Sequence, residues 1–375
     1  MDEYLVGGFF VQKQRPADLM IPIVTIFLLA LGVMMVHSAS TVLSQEHFHD
    51  PYFYVKRQLL WTGLGLLSMY VMSRIDYRIF FRYARQIMLL CVLFLGIVLI
   101  PHVGQVRGGS RAWLGIGTFG IQPSEFAKFG LIIFYSWLLS REPDRMLSFR
   151  RGLAPPLAMM AVVIGLIMLE PDLGQSAVIA GATMLMIFVA GARARHLLAM
   201  AGVGLVAFAA LIVSAPYRLE RVTSFMNPWK YRSGIGYHII MSLIALGQGA
   251  LLGVGLGHST QKHFYLPEPQ TDFIFAILAE ELGFIGAAVT ILLFSVLIWR
   301  GLRIAMRVQD RFGSFLAAGL TGVIAVQVFI NIGVVIGLLP VTGITLPFIS
   351  YGGSSLTLML TAVGVLMNIS RHAYY

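Results

Sequence analysis

Residues 265–286 read YLPEPQTDFIFAILAEELGFIG. After Pro267 and Pro269 the segment enters an apolar run that continues to Trp299. That run exceeds the roughly 20 residues a bilayer core requires. Yet it carries Asp272, Glu280 and Glu281, and ionised groups at membrane depth are costly and usually functional. The rest of the chain settles the class. Hydrophobic residues make up 58% of the 375 and charged residues 12%, against about 25% charged in a soluble domain. Similar apolar runs recur from end to end. The expectation is an all-α polytopic integral membrane protein, forming one membrane domain over residues 1–375.

Ten spans are expected, at about 18–38, 57–74, 84–101, 122–140, 153–169, 175–191, 196–214, 272–299, 312–339 and 347–370. The first could be a signal-peptide core, because small residues follow at Ser38, Ala39 and Ser40. Its length and the polar residues before it favour an uncleaved span. The single cysteine, Cys91, lies inside an apolar run and offers neither a disulfide nor a thiolate metal site. Most of the 27 lysines and arginines cluster on alternate connections. These include Lys13 and Arg15, Arg74 to Arg85, Arg141 to Arg151, Arg193 and Arg195, Arg300 to Arg311, and Arg371. Such clusters face the cytoplasm, so both termini and Arg145 and Arg303 are expected there. The net charge of +10 then reflects topology and anionic membrane lipid, and no nucleic-acid partner is needed.

The irregular segments fall on the other side. They are the 102–121 connection with RGGSRAWLGIGTFG, the EPDLGQ segment after span five, and the 215–271 loop. That last loop is the longest, rich in glycine, proline, aromatics and cations, and a connection of that length is uncommon without a function of its own. It is expected to fold in part into short interfacial helices. His258 and His263 are poorly spaced for a metal. GVGLGHS lacks the strand and βαβ unit of a nucleotide fingerprint.

Within the spans, Glu125 and Lys128 share one face of span four. They suit either a structural ion pair or a contact with substrate. In span eight Glu280 lies about 12 Å deeper than Asp272 and is turned about 80° from it, so the two form no acid–base dyad on a straight helix. Glu280 and Glu281 are expected to be structural polar contacts, and one of them could pair with Lys128. Asp272 falls in the first turn of span eight, where a helix N-terminus favours an ionised carboxylate. It reads either as an ordinary cap or as a functional acid where the largest external loop meets the membrane. PFISYGGSS, residues 347–355, suits close backbone approach or a polar cavity equally.

The chain resembles the SEDS family (shape, elongation, division and sporulation), bacterial membrane glycosyltransferases of peptidoglycan synthesis. The matching segments are GGSRAWLGIGTFGIQPSEFAK at 108–128, EPDLGQS at 170–176, GYHIIMSLIALGQGALLGVGLGHSTQK at 236–262, YLPEPQTDFIFAILAEELG at 265–283 and INIGVVIGLLPVTGITLPFISYGGSS at 330–355. They cover nearly the whole chain. The wording YLPEPQTDFIF and the span-one ending MVHSAS lean towards the division-septum branch over the elongation branch. Gln270 stands where the family often has a histidine.

The resemblance implies polymerisation of lipid II at the outer face of the bacterial cytoplasmic membrane, during cell division or elongation. It places the catalytic role on Asp272 and marks Glu125 and Lys128 as sensitive. Arg111, Gln122, Ser124, Ser350 and Ser354 join them as candidate substrate-binding positions within the matching motifs. A class B penicillin-binding protein, the crosslinking transpeptidase, is the implied partner, with other divisome proteins. A diphosphate is a good leaving group, so one general base suffices, in contrast to the paired carboxylates of glycosidases. The departing diphosphate needs positive charge. Arg218, Arg221, Lys230 and Lys262 are candidates, and a magnesium or manganese ion is left open as a cofactor. The alternative function is a lipid II flippase.

Overall fold

The structure is a computed structural model. It describes all residues except 1–2, 7–8, 13–15, 108–109, 117–118, 142–148, 214–215, 233, 263–265, 267 and 374–375. Lys13, Arg15, Arg145 and His263 therefore lie outside the described residues.

Each expected span coincides with a helix: α1 (Met20–Phe48), α2 (Phe53–Arg74), α3 (Arg78–Val98), α4 (Pro123–Arg141), α5 (Ala154–Leu169), α6 (Leu173–Val189) and α7 (Ala194–Val213). Three more follow the long loop. Within it lie α8 (Pro216–Met226) and α9 (Ile235–Gly249), and after it come α10 (Ile274–Arg307), α11 (Arg311–Val335) and α12 (Gly353–Ser370). Among the described residues six are long and apolar enough to cross a membrane: α1, α3, α7, α10, α11 and α12. Polar caps and prolines mark where several begin. Pro123 opens α4, and Asp172 and Asp310 cap α6 and α11 by accepting from Gln175 N and Gly313 N.

Helix α11 is the axis of the bundle, packed by α4, α6 and α10. Its apolar window is 72% buried, whereas that of α7 is 0% buried, which places α7 at the periphery. Helix α2 lies along α12, where Gly364 presses on the Met69 backbone so closely that a methyl there would collide with it.

Three features depart from the expected outline. The 102–121 connection is a small antiparallel sheet of β3 (Gln105–Arg107), β4 (Ser110–Ile116) and β5 (Phe119–Ile121), in the order β3-β4-β5. (A separate hairpin, β1 with Glu3–Val6 and β2 with Phe9–Gln12, precedes α1.) The long loop, secondly, does not stay at the surface. Ile239, Ile240 and Ala245 of α9 are buried, and Ser242 donates to the Val335 carbonyl of α11. Helix α10, thirdly, is broken at Gly283, with φ of 68°. The carbonyls freed by the break are not left bare. Val254 N and Gly255 N donate to the Glu280 and Glu281 carbonyls, and Phe284 N donates to Ala250. Gly253, with φ of 81°, packs against Gly283 there, and only glycines fit two backbones at that distance and in that conformation.

Candidate active site

Asp272 lies in the turn that leads into α10. The N-cap is Phe273, which makes no side-chain cap hydrogen bond. Asp272 is therefore not held there as an ordinary helix cap. The turn is fixed from behind by other helices. Asn331 Nδ2 of α11 donates to the Asp272 carbonyl at 2.9 Å and to the Ile344 carbonyl at 2.7 Å. Ser350 Oγ donates to the Thr271 carbonyl at 2.6 Å, and Tyr351 N to the Gln270 carbonyl at 2.8 Å. The backbone on both sides of the carboxylate is thus tied down, which is what a side chain needs if it is to be aimed. Of the two roles expected for 347–355, close backbone approach is seen where Gly32 of α1 lies against the Phe348 and Ile349 backbone; Ser350 adds a polar contact, and Gly353 packs on the Trp61 ring. Ser354 is buried in the first turn of α12.

The Asp272 carboxyl is partly buried and is pushed up to about 7. Burial is the main cause; the Glu268 charge raises it further, Arg221 lowers it, and Asp172 raises it. A carboxylate poised near neutrality is suited to accept a proton from a substrate hydroxyl. Arg221, which also donates to the Val341 carbonyl at 3.5 Å, is the candidate cation whose field reaches Asp272.

Asp172 caps α6 and accepts at Oδ2 from Gln122 Nε2 at 3.1 Å. Burial raises its carboxyl too. Beside it, Glu170 is fully buried, and neither of its carboxyl oxygens has a hydrogen-bond partner among the described residues. Burial, then the neighbouring Asp172, pushes it up to about 8. Ser110 of β4 donates to the Glu170 carbonyl, which ties the sheet to this turn. Arg111 follows on β4, partly buried, and Ser124 is buried at the start of α4.

One turn into α4, Lys128 Nζ lies 3.0 Å from Glu125 Oε2, with both side chains buried. The pair is not isolated. Gln175 of α6 donates to Glu125, and Lys128 donates to Gln327 Oε1 of α11 at 3.0 Å. Gln327 in turn donates to the Thr345 carbonyl at 3.1 Å. The expected pairing of Lys128 with Glu280 or Glu281 does not occur, because Lys128 spends its donors on Glu125 and Gln327.

Glu280 and Glu281 have partners of their own. Glu280 accepts from Ser259 Oγ at 2.5 Å and from both Thr260 N and Thr260 Oγ1 at 2.9 Å. Glu281 accepts from Ser38 Oγ of α1 at 2.5 Å and lies 3.4 Å from Lys262 Nζ. Lys262 also donates to Ser38 Oγ and the Gly257 carbonyl. It is bonded nine positions beyond Asp272, about 13 Å by helical rise, and it anchors the loop instead of facing the Asp272 turn. Arg218 is buried and donates to the Leu211 carbonyl. Lys230 is exposed beside the Tyr231 ring.

Sequence reasoning missed Asn331, Gln327, Gln175 and the pair Glu170–Asp172 as members of this cluster. The signal was present as polar residues inside apolar spans and in EPDLGQS. Among the described residues no three His, Cys, Asp or Glu side chains converge to hold a metal ion.

The fold and this cluster define a polytopic α-helical membrane protein whose acidic and amide side chains converge at one end of the bundle. The family model FtsW/RodA/SpoVE, described as a cell cycle protein, matches residues 18–375. The chain belongs to that family, the SEDS proteins. It is 53% identical to stage V sporulation protein E of Bacillus subtilis, over 97% of this chain and 99% of that one. It is 42% identical to the "Probable peptidoglycan glycosyltransferase FtsW" of Geobacter metallireducens, over 94% of each. Among solved structures it is similar to a chain of a peptidoglycan synthase complex that coordinates polymerization and crosslinking. There the TM-score is 0.77 at 31% identity, covering 95% of this chain and 98% of that one. It is also similar to the rod shape determining protein RodA of Thermus thermophilus, with a TM-score of 0.72 at 28% identity over 96% and 98%.

Proposed function

We propose that the protein is a peptidoglycan glycosyltransferase that polymerises lipid II, with Asp272 as general base. The acceptor sugar 4-hydroxyl attacks the anomeric carbon of the donor. The new C–O bond forms as the bond to the lipid diphosphate breaks, and the hydroxyl proton passes to Asp272. The attack is on the face opposite the diphosphate, which leaves with the electron pair, so the anomeric centre inverts. The single observation that carries this reading is the placement of the Asp272 carboxyl on a turn tied down by Asn331 and Ser350, where burial raises it. Arg221 supplies positive charge on the leaving-group side.

The cation clusters support a location in the bacterial cytoplasmic membrane with both termini cytoplasmic and the Asp272 end outside. The similarity to a chain of a synthase complex supports a class B penicillin-binding protein as partner. A magnesium or manganese ion would be held chiefly by diphosphate oxygens, and loss of activity in EDTA with rescue by the metal tests that. The decisive assay incubates purified protein with lipid II in detergent and looks for long glycan strands. Detergent abolishes sidedness, so a flippase would yield none, and absence of strands would refute the polymerase.

A further inference from the structure

The end of the bundle opposite Asp272 holds a second built feature. The first turns of α3 and the last turns of α4 meet there. Phe81, Arg82 and Arg85 of α3, with Trp137 and Arg141 of α4, line a cavity of about 400 Å³. The Arg85 guanidinium carbon lies 5.6 Å from the Trp137 ring centroid, and that of Arg141 lies 5.0 Å from it. Two like charges are therefore gathered on one indole, with Arg82 lining the same space. None of the three forms an ion pair with a carboxylate among the described residues. Orienting a topology requires cations near a span, but not their convergence around a cavity and a ring. Arg300 shows the contrast: it also lies beside a tryptophan, Trp299, but it is neutralised by Asp18 at 3.2 Å.

The location decides which anion fits. Arg141 is sixteen residues along α4 from Glu125, about 24 Å by helical rise, close to the thickness of a hydrocarbon core. The cavity thus sits at headgroup level. Trp137 is placed as interfacial tryptophans are. On α3, Arg85, Leu89 and Leu93 recur at four-residue spacing, and Leu89 and Leu93 are 61% and 53% exposed. An apolar track therefore leads away from the guanidinium groups into the membrane. Guanidinium forks match phosphate oxygens in a bidentate manner, and basic pockets between membrane helices on this side suit acidic lipid heads.

We propose that this cavity binds the phosphate headgroup of an anionic glycerophospholipid, with Arg82, Arg85 and Arg141 around the phosphate and acyl chains along Leu89 and Leu93. The inference needs the membrane reading but not the polymerase reading, so either can fail alone.

The test is native mass spectrometry of the full chain in detergent, titrated in turn with phosphatidylglycerol and phosphatidylcholine. Wild type should retain phosphatidylglycerol over phosphatidylcholine. The Arg85→Gln/Arg141→Gln variant should weaken phosphatidylglycerol about 25-fold, at roughly fivefold per arginine. Arg303→Gln, a cation at the same end but outside the cavity, should leave it unchanged. Should the double variant not fold, exposed Arg82→Gln still decides, with about fivefold weakening expected. Equal retention of the two lipids by wild type overturns the proposal, as does a loss in Arg303→Gln equal to that in the cavity variants. Glu142 and Asp144 follow Arg141 in the sequence, outside the described residues. If they neutralised the cavity, removing its arginines would not change lipid binding, and the proposal would fall. Inorganic phosphate is run as a competitor. If it stabilises wild type and phosphatidylglycerol does not displace it, the ligand is a soluble phosphate and the lipid assignment is wrong.

Discussion

Asn331, buried near the C-terminal end of α11, holds the backbone of Asp272: one amide nitrogen donates to the Asp272 carbonyl at 2.9 Å and to the Ile344 carbonyl at 2.7 Å. A single α11 side chain thereby couples the turn before α10 to the segment before α12. Asn331→Leu removes both bonds and strands two carbonyls, at a cost of about 1–3 kcal/mol for each that stays buried and unpaired. Glycan synthesis should fall by more than the melting temperature predicts, because the aim of Asp272 is lost while the fold persists. Equal activity per folded molecule in the variant would remove Asn331 from the positioning of Asp272.

Asp272→Asn preserves shape and removes the base. Loss of a general base typically costs about 10²–10⁴-fold in rate. Asp272 caps no helix, and Asn removes a carboxylate whose ionisation burial disfavours. Thermal stability should therefore not fall and should rise somewhat at neutral and higher pH, and binding of lipid II should persist. Polymerisation at close to the wild-type rate would show that another group takes the proton, and Glu268, on the same turn, is the first to examine.

The pH profile carries a sign. The ionised form of Asp272 is the base, and its carboxyl is held at about 7, so activity should rise with pH through an apparent value near 7. Glu268 raises that value and Arg221 lowers it. Glu268→Gln should move the limb to lower pH, and Arg221→Gln to higher pH. Stability runs the other way: a carboxyl raised above its unfolded value stabilises the fold in acid, and that contribution is lost as pH rises through about 7. Shifts of the limb in the same direction in both variants would detach it from Asp272.

Lys128→Ala leaves Glu125 buried without its cation, a loss of about 3–5 kcal/mol. Exchanging the two residues restores charge balance but sets a carboxylate at 128 against Gln327 Oε1. Turning the Gln327 amide would relieve that and break its bond to Thr345. The exchanged variant should therefore recover folding only in part, as read by thermal unfolding. If it folds fully and polymerises nothing, the pair contacts substrate or a cation directly.

Lys262→Met should destabilise the protein by leaving Glu281 buried without its cation. Lys262→Met/Glu281→Gln removes both charges and should regain much of the lost melting temperature. Michaelis constants for lipid II then discriminate: a loop anchor leaves KM near wild type in the double variant, whereas a diphosphate-binding lysine raises it.

Much of this architecture could be read locally. A span announces itself by an uninterrupted apolar run, so all ten expected spans coincide with helices. Glu125 and Lys128 are neighbours on one helix face by spacing alone. The acid at the start of span eight was visible because Asp272 follows a proline-broken segment, and the family wording around it singled it out; that it sits in the turn before α10, not in its first turn, only the structure shows. Tertiary packing decided the rest. Nothing in the spacing of Asn331, Gln327 or Gln175 says which carbonyl or carboxylate each will meet, because each partner comes from another helix. Lys262 reads as a free cation in a polar loop, and only the packing of α1 and α10 brings Ser38 and Glu281 to it. Helix α9 read as part of an external loop until packing on α10 and α11 buried its apolar face. Hydropathy and helical period belong to consecutive residues and survive in any fold. A buried donor finds its acceptor only after the helices have packed, so the network that aims Asp272 is a property of the assembled bundle.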